Sequence, residues 1–182
     1  MDFRNTTGLN DARLFSLLLR HTAPYRHDDL RVRVRYSRGA DYSGTFFINE
    51  ARIHVNLGRR NRYPYILNTS IAKAQTTERG WKREICQLLL GDAYQLVLFV
   101  YLHELYHHLV KAAGRSQRRK EAMCDRFATR VLVDDHNCRL QTKSGLPVER
   151  RSWDFKDLEA FVASSPVERQ MHLPLLGNLL VR

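Results

Sequence analysis

Cysteine is scarce in this sequence, with 3 residues among 182, and none stands in the close cysteine pairs that hold structural zinc. So few thiols, odd in number, exclude a disulfide-stapled scaffold and favour a reducing compartment. The sequence also lacks a glycine-rich phosphate loop and the Gly-x-Ser-x-Gly turn of serine hydrolases. We therefore expect neither a P-loop nucleotide site nor a serine nucleophile.

Apolar runs long enough to cross a membrane are absent as well. The clearest apolar run, residues 96–102, is too short to span a bilayer. The first residues show no basic segment followed by an apolar stretch and a cleavage site, so we expect no signal peptide. These absences predict a cytoplasmic protein with no membrane partner.

Acidic residues are in the minority: 19 Asp and Glu against 30 Lys and Arg give a formal net charge of +11. This balance favours acidic partners, nucleic acid among them, although a solvated basic surface explains it equally well. The hydrophobic share of 43% excludes a disordered chain. The length suits a single domain, residues 1–182, which we expect to end in a helical extension over about 152–182.

The sequence does contain His-Glu-x-x-His at residues 103–107, inside a predicted helix over residues 92–111. Asp92 can cap this helix and Gly114 can stop it. His103 and His107, four residues apart, share one helix face, where both can bind a single Zn²⁺ ion. Glu104 points toward the same side and can take a proton from a zinc-bound water.

A second helix is predicted over residues 116–132, with Ser116 as its cap. Glu121 precedes Asp125 by one turn, so both side chains project from one side. A carboxylate is the usual third protein ligand of a catalytic zinc that already has two histidines. Another carboxylate can accept the outer N–H of a ligand histidine and fix its tautomer.

His-Glu-x-x-His followed by Glu-x-x-x-Asp resembles the gluzincin metallopeptidases, and residues 121–128 resemble their small ImmA/IrrE-type members. The resemblance implies that His103, His107 and Glu121 are zinc ligands and that Asp125 hydrogen-bonds to a ligand histidine. It implies an α+β, zincin-like fold: a small antiparallel or mixed sheet packed on a backing helix and a central active-site helix. It also implies a zinc-dependent endopeptidase that cleaves protein or peptide substrates, with Glu104 assisting the attack of zinc-bound water.

Two rival functions stay open. One is a nucleic-acid-associated or regulatory metal-binding protein without peptidase activity, although a structural metal site has no need of Glu104. The other is an affiliation with SprT-like proteins, which degrade protein trapped on DNA and resemble this chain more distantly. Those proteins use a third histidine where this sequence has Glu121.

Alternation and turn residues predict the remaining elements. Residues 30–36 alternate apolar residues with arginine and predict a half-buried strand. Its arginines could bind phosphates, although the exposed polar face of an antiparallel sheet is the more frequent explanation of such a row. The other predictions are a helix over 10–20, a hairpin of strands 45–48 and 52–57, a strand over 65–71, a helix over 80–90, a polar connection over 141–151, a helix over 153–162, and a tail over 173–181 that packs on the core.

Substrate contacts are predicted from chain position. In zincins a sheet edge beside the active-site helix pairs with substrate, and residues 52–57 are our candidate, through Arg52, His54 and Asn56. A basic cluster, Arg118, Arg119 and Lys120, stands directly before Glu121 and should draw an acidic partner toward the site. The donor that stabilises the oxyanion stays open among Tyr65, Tyr106 and His136.

Overall fold

A computed structural model of the chain describes residues 1–25, 27–78, 80–118 and 120–163, and it has an α+β fold. The helices are α1 (Asp11–Thr22), α2 (Ala93–Ala112), α3 (Glu121–His136) and α4 (Leu158–Ala163), with a 3-10 turn at Arg150–Ser152. The strands are β1 (Asp2–Asn5), β2 (Arg31–Tyr36), β3 (Tyr42–Phe47), β4 (Arg52–Leu57), β5 (Tyr65–Thr69), β6 (Ala74–Thr77), β7 (Gly80–Arg83), β8 (Cys86–Leu90) and β9 (Arg139–Thr142).

The larger sheet has four strands in the order β1-β2-β4-β3. β1, β2 and β4 run parallel, and β3 pairs antiparallel with β4 at the edge. The predicted alternation of β2 is confirmed, because Val32 and Val34 are buried while Arg31 and Arg35 are exposed. The buried valines share one hydrophobic core with residues of α1 and α2, so both helices cover the same face of the sheet.

Helix α2 is the centre of the core. Asp92 caps it as predicted, accepting a hydrogen bond from the backbone amide of Gln95, and Gly114 follows its end at φ 66°. Residues 96–102 are buried all round because β3 and β4 pack on one side of the helix and α3 on the other. A polar motif in such a helix is costly unless its groups find partners.

The predicted helix over residues 80–90 is wrong. This stretch forms β7, which pairs with β6 in an exposed hairpin, and β8, the centre of a sheet ordered β5-β8-β9. The period is two: Cys86, Leu88 and Leu90 are buried, whereas Trp81 is 73% exposed. Pairing of β8 with both β5 and β9 overrides the helical spacing of the apolar residues. Strand β9 also occupies the start of what we predicted as a polar connection.

Helix α3 begins at Glu121, five residues later than predicted. Ser116 does not cap it; its hydroxyl accepts the backbone N–H of Arg118 in a local turn. The side-chain amide of Gln117 donates to the His107 carbonyl and ties this connection to α2. Asn137, in the left-handed region at φ 53°, ends the helix.

The C-terminal helix is shorter than the predicted 153–162. Trp153 is buried but lies before α4, which starts at Leu158. The predicted tail over 173–181 lies outside the described residues, so the single domain and its extension stay predictions. No helix in the described part of the chain is long and apolar enough to cross a membrane.

Candidate metal centre

Two imidazoles and one carboxylate meet between α2 and α3. The rings of His103 and His107 lie 5.1 Å apart on one face of α2. The Glu121 carboxylate, at the first residue of α3, reaches both: its oxygens lie 3.2 Å from His103 Nε2 and 3.3 Å from His107 Nε2. The Glu121 side chain is 73% exposed, so the site is open to solvent on this side.

Asp125 fixes the orientation of His103. Its Oδ1 lies 2.8 Å from His103 Nδ1, and its Oδ2 accepts a hydrogen bond of 2.8 Å from the Thr69 hydroxyl. Burial lowers the pKa of His103, but the hydrogen bond and charge of Asp125 outweigh this effect and raise the pKa overall. Because Nδ1 is engaged, Nε2 is the nitrogen left to face Glu121 and His107.

These separations suit a tetrahedral metal ion. Ligand atoms about 2.0–2.1 Å from such an ion are about 3.3 Å apart, which is the spacing of the Glu121 oxygens from the two Nε2 atoms. Burial and the charge of His103 lower the pKa of His107, which favours the neutral imidazole that metals bind. The chemistry of the donor set therefore fits a divalent ion with a preference for nitrogen and oxygen.

Cys124 is a further metal-competent group that the sequence did not point to. His103, His107 and Cys124 place ligand atoms within 4.8 Å of one another and could hold a metal ion. The thiol is fully buried, and burial together with the Glu121 charge raises its pKa. Glu121 lies at coordination spacing from both histidines. The Cys124 thiol must first lose its proton in an apolar environment, which disfavours the thiolate that binds metal. We therefore rank Glu121 above Cys124 as the third ligand.

Glu104 lies beside this cluster and faces the edge strand. It is 8% exposed, and the backbone amide of Phe46 in β3 donates to its carboxylate. Burial raises the pKa of Glu104, the His103 charge opposes the rise, and the Glu121 charge adds to it. Glycine at position 44 makes room, because a Cβ there would lie 2.3 Å from Glu104 Oε1.

A cavity of about 160 Å³ joins these groups. His103, Glu104 and Asp125 line it from the helices, and Tyr42 and Gly44 line it from β3. Leu67 and Asn68 of β5 also line it, so the cavity is enclosed by α2, α3, β3 and β5.

Neither a protein-family model, nor a curated protein, nor a solved structure matches this chain. No family follows from these comparisons.

The prediction that residues 52–57 form the substrate edge is wrong. β4 lies between β2 and β3, and its backbone groups pair on both sides. Arg52, His54 and Asn56 project from the face opposite the buried Ile53 and Val55, away from α2. Among the described strands, β3 is the edge strand of the larger sheet beside α2.

Each of the three oxyanion candidates has a partner outside the cluster. The Tyr106 hydroxyl is buried and donates to the Leu158 carbonyl, and the Tyr65 hydroxyl donates to Asp41. His136 Nε2 lies 2.9 Å from His21 Nε2, eleven residues along α3 from Asp125, or about 16 Å at the helical rise. Tyr42 is the tyrosine that the fold brings to the cavity instead, and no local pattern in the sequence marks it.

The basic cluster before Glu121 is only partly described. Arg118 is exposed, and the Lys120 ammonium lies 5.5 Å from the centre of the Phe161 ring. Arg119 lies outside the described residues. Chain connectivity keeps the two described cations within a few residues of Glu121, and their contact with an acidic partner stays a prediction.

Proposed function

We propose that this chain is a zinc-dependent endopeptidase with a zincin-like fold. The observation that carries the proposal is the convergence of His103 Nε2, His107 Nε2 and the Glu121 carboxylate, with Glu104 buried beside them. A site that only bound metal would have no use for a second, desolvated carboxylate next to the ligands. The arrangement of a backing helix, a mixed sheet with an antiparallel edge and a central motif helix further supports it.

His103, His107 and Glu121 would hold the zinc ion, and Asp125 would keep His103 in the tautomer that binds through Nε2. Zinc, when bound, supplies Lewis acidity that polarises a peptide carbonyl and acidifies water. These three side chains would leave that chemistry accessible to water and substrate. The exposed side of Glu121 gives substrate access to it.

Glu104 would act as the general base and then the general acid. Its raised pKa brings the carboxylate nearer to the working pH, where a base can both accept and release a proton. The Phe46 amide holds the carboxylate in place, so the proton acceptor is positioned before substrate arrives. After accepting a proton from water, Glu104 would deliver it to the leaving amine.

Strand β3 would bind an extended substrate. The Gly58 amide donates to the Asp41 carbonyl, so by antiparallel alternation residues 43, 45 and 47 turn their backbone groups toward β4. Tyr42 and Gly44 then present theirs to the free edge. A peptide paired there would gain main-chain hydrogen bonds of low sequence preference, which suits an endopeptidase.

The test is zinc content and cleavage of a peptide library by wild-type chain and Glu104→Gln. We expect wild type to cleave when zinc is restored after chelation, and Glu104→Gln to keep its zinc but lose at least about 10²-fold in turnover. Equal cleavage by the two proteins would show that Glu104 is not the base.

The ligand set is tested separately with Glu121→Ala and Cys124→Ala. Glu121→Ala should weaken zinc binding strongly, whereas Cys124→Ala, which removes the rival third ligand, should leave zinc binding unchanged. A thiolate-to-metal charge-transfer band in the cobalt-loaded chain, lost in Cys124→Ala, would instead support the second candidate: a regulatory metal site made by His103, His107 and Cys124.

A further inference from the structure

The outer face of the larger sheet, opposite α2, is basic. Arg31, Arg33 and Arg35 alternate along β2 on this face, about 6.6 Å apart at the rise of a strand. On the neighbouring strands Arg52 stands beside Arg31, and Arg4 stands beside Arg33. The arginines of this face are exposed or half-buried. The arginines of β2 therefore form a row along one strand, with Arg4 on one side of it and Arg52 on the other.

Acidic residues offset only part of this charge. Asp2 pairs with Arg33 and Glu50 pairs with Arg52. Among the described residues no carboxylate lies within ion-pair distance of Arg31, Arg35 or Arg38. Burial lowers the pKa of His54 in the middle of the face, and the charges of Arg35, Arg52 and Arg33 lower it further. The positive potential therefore concentrates where β2 and β4 run side by side.

A groove of about 590 Å³ lies at the end of the arginine row of β2 and is lined by Arg35, Tyr36, Ser37, Arg38, Ser43 and Asn56. Its donors are pre-positioned. Arg35 Nε donates to the side-chain oxygen of Asn56 at 2.7 Å, and the Asn56 amide donates to Ser43 Oγ at 2.8 Å. With Nε held, the outer edge of the Arg35 guanidinium is left to bind an anion, and Arg38 lines the same groove.

We propose that this face binds the sugar-phosphate backbone of a single-stranded nucleic acid, with the Arg35–Arg38 groove as its best-ordered phosphate site. The row of Arg31, Arg33 and Arg35 follows one strand and so matches a single backbone, with Arg4 and Arg52 flanking it. The arginines supply charge-assisted hydrogen bonds, and the serine hydroxyls supply further donors of the kind that contact phosphate. Phe47 lies on the same face, with the Arg52 guanidinium over its ring and His54 edge-on to it, and offers an aromatic ring to a base. The inference does not depend on the metal site, which lies on the other face of the sheet.

The experiment measures binding of a fluorescent oligothymidylate of about 20 nucleotides to the full chain by anisotropy, between about 50 and 200 mM salt. Each phosphate contact on a single strand contributes about −0.7 to the slope of log K against log salt. The double variant Arg35→Gln, Arg38→Gln should therefore have a slope shallower by about 1.4. If the variant and the wild type bind equally at 1 M salt, the variant should bind about 25-fold more weakly than the wild type at 0.1 M salt.

The matched control is Arg20→Gln with Lys143→Gln, which removes the same charge from exposed positions away from this face. It should keep both the slope and the affinity of the wild type. Asn56→Ala keeps both groove arginines and should weaken binding less than the double variant. Arginine-selective modification of the unaltered chain, read by mass spectrometry, gives a second measurement: oligothymidylate should protect Arg35 and Arg38 but not Arg139.

Three results would overturn the proposal. The first is absence of binding by the wild type at low salt, and the second is equal loss in the groove variant and its control. The third is equal or tighter binding of duplex DNA or of polyglutamate of the same charge, which would assign the face to a duplex or to an acidic protein. Glu104→Gln should bind oligothymidylate like the wild type. Nucleic-acid binding by this face is therefore tested independently of peptidase activity.

Discussion

Thr69 is the residue whose change tests the metal site most sharply without a known substrate. It is 3% exposed on β5, and its hydroxyl donates at 2.8 Å to Asp125 Oδ2. The other oxygen of Asp125 lies 2.8 Å from His103 Nδ1. Thr69→Val removes the donor while nearly keeping the shape of the side chain, so its effect on metal must pass through Asp125 and His103.

The magnitude follows from the hydrogen bond. A bond to a charged group contributes about 1.5–3 kcal/mol. The Asp125 side chain is 21% exposed, so water can replace part of the lost bond and the lower end applies. About 1.4 kcal/mol corresponds to a factor of ten, so we expect the zinc Kd to rise by up to about tenfold. Asp125→Ala, which removes the direct partner of His103, should raise it about 10- to 100-fold.

The assay is competition for zinc with a chelator of known affinity, on the wild type, both single variants and the double variant. If the hydroxyl acts only through the carboxylate, Thr69→Val should have almost no further effect once Asp125 is alanine. Thr77→Val, at an exposed hairpin position, is the control and should bind zinc like the wild type. If the losses of zinc affinity in the double variant are fully additive, Thr69 does not act on His103 through Asp125.

Two further predictions concern other parts of the fold. Gly44→Ala would bring a Cβ to 2.3 Å from Glu104 Oε1, so the carboxylate must turn away from the Phe46 amide that donates to it. We expect about 10²-fold lower turnover with unchanged zinc content. Gly39→Ala, where a Cβ meets nothing within 4 Å, is the control and should stay active. Burial lowers the pKa values of both His21 and His136, so the folded chain disfavours their protonation and loses stability as pH falls below about 6.5, by at most about 1.4 kcal/mol per pH unit for each. His136→Gln should make the fall in melting temperature between pH 7.5 and 5.5 shallower, and an unchanged fall would show that this pair does not contribute.

The local patterns of the sequence determined the parts of the site that belong to one helix. The spacing of His103 and His107 places both on one face of any α-helix, and the Asp92 cap with the Gly114 stop bounds that helix. The alternation in β2 and the turn before β4 are equally local, and both strands form where predicted. These features need only 3.6-residue or two-residue periodicity and the chemistry of a cap or turn.

Long-range packing decided the rest. Strand order put β4 inside the sheet and β3 at its edge, so the substrate edge shifted from one strand of the hairpin to the other. Pairing with β5 and β9 turned residues 86–90 into a strand although their apolar spacing suited a helix. The contact of α2 with α3 set the 3.2 and 3.3 Å distances from Glu121 to the histidines, and it also brought in the Cys124 thiol. Thr69 and the Phe46 amide come from distant strands, and a hydrogen bond between such groups leaves no periodic trace in the sequence, because only the tertiary fold makes them neighbours.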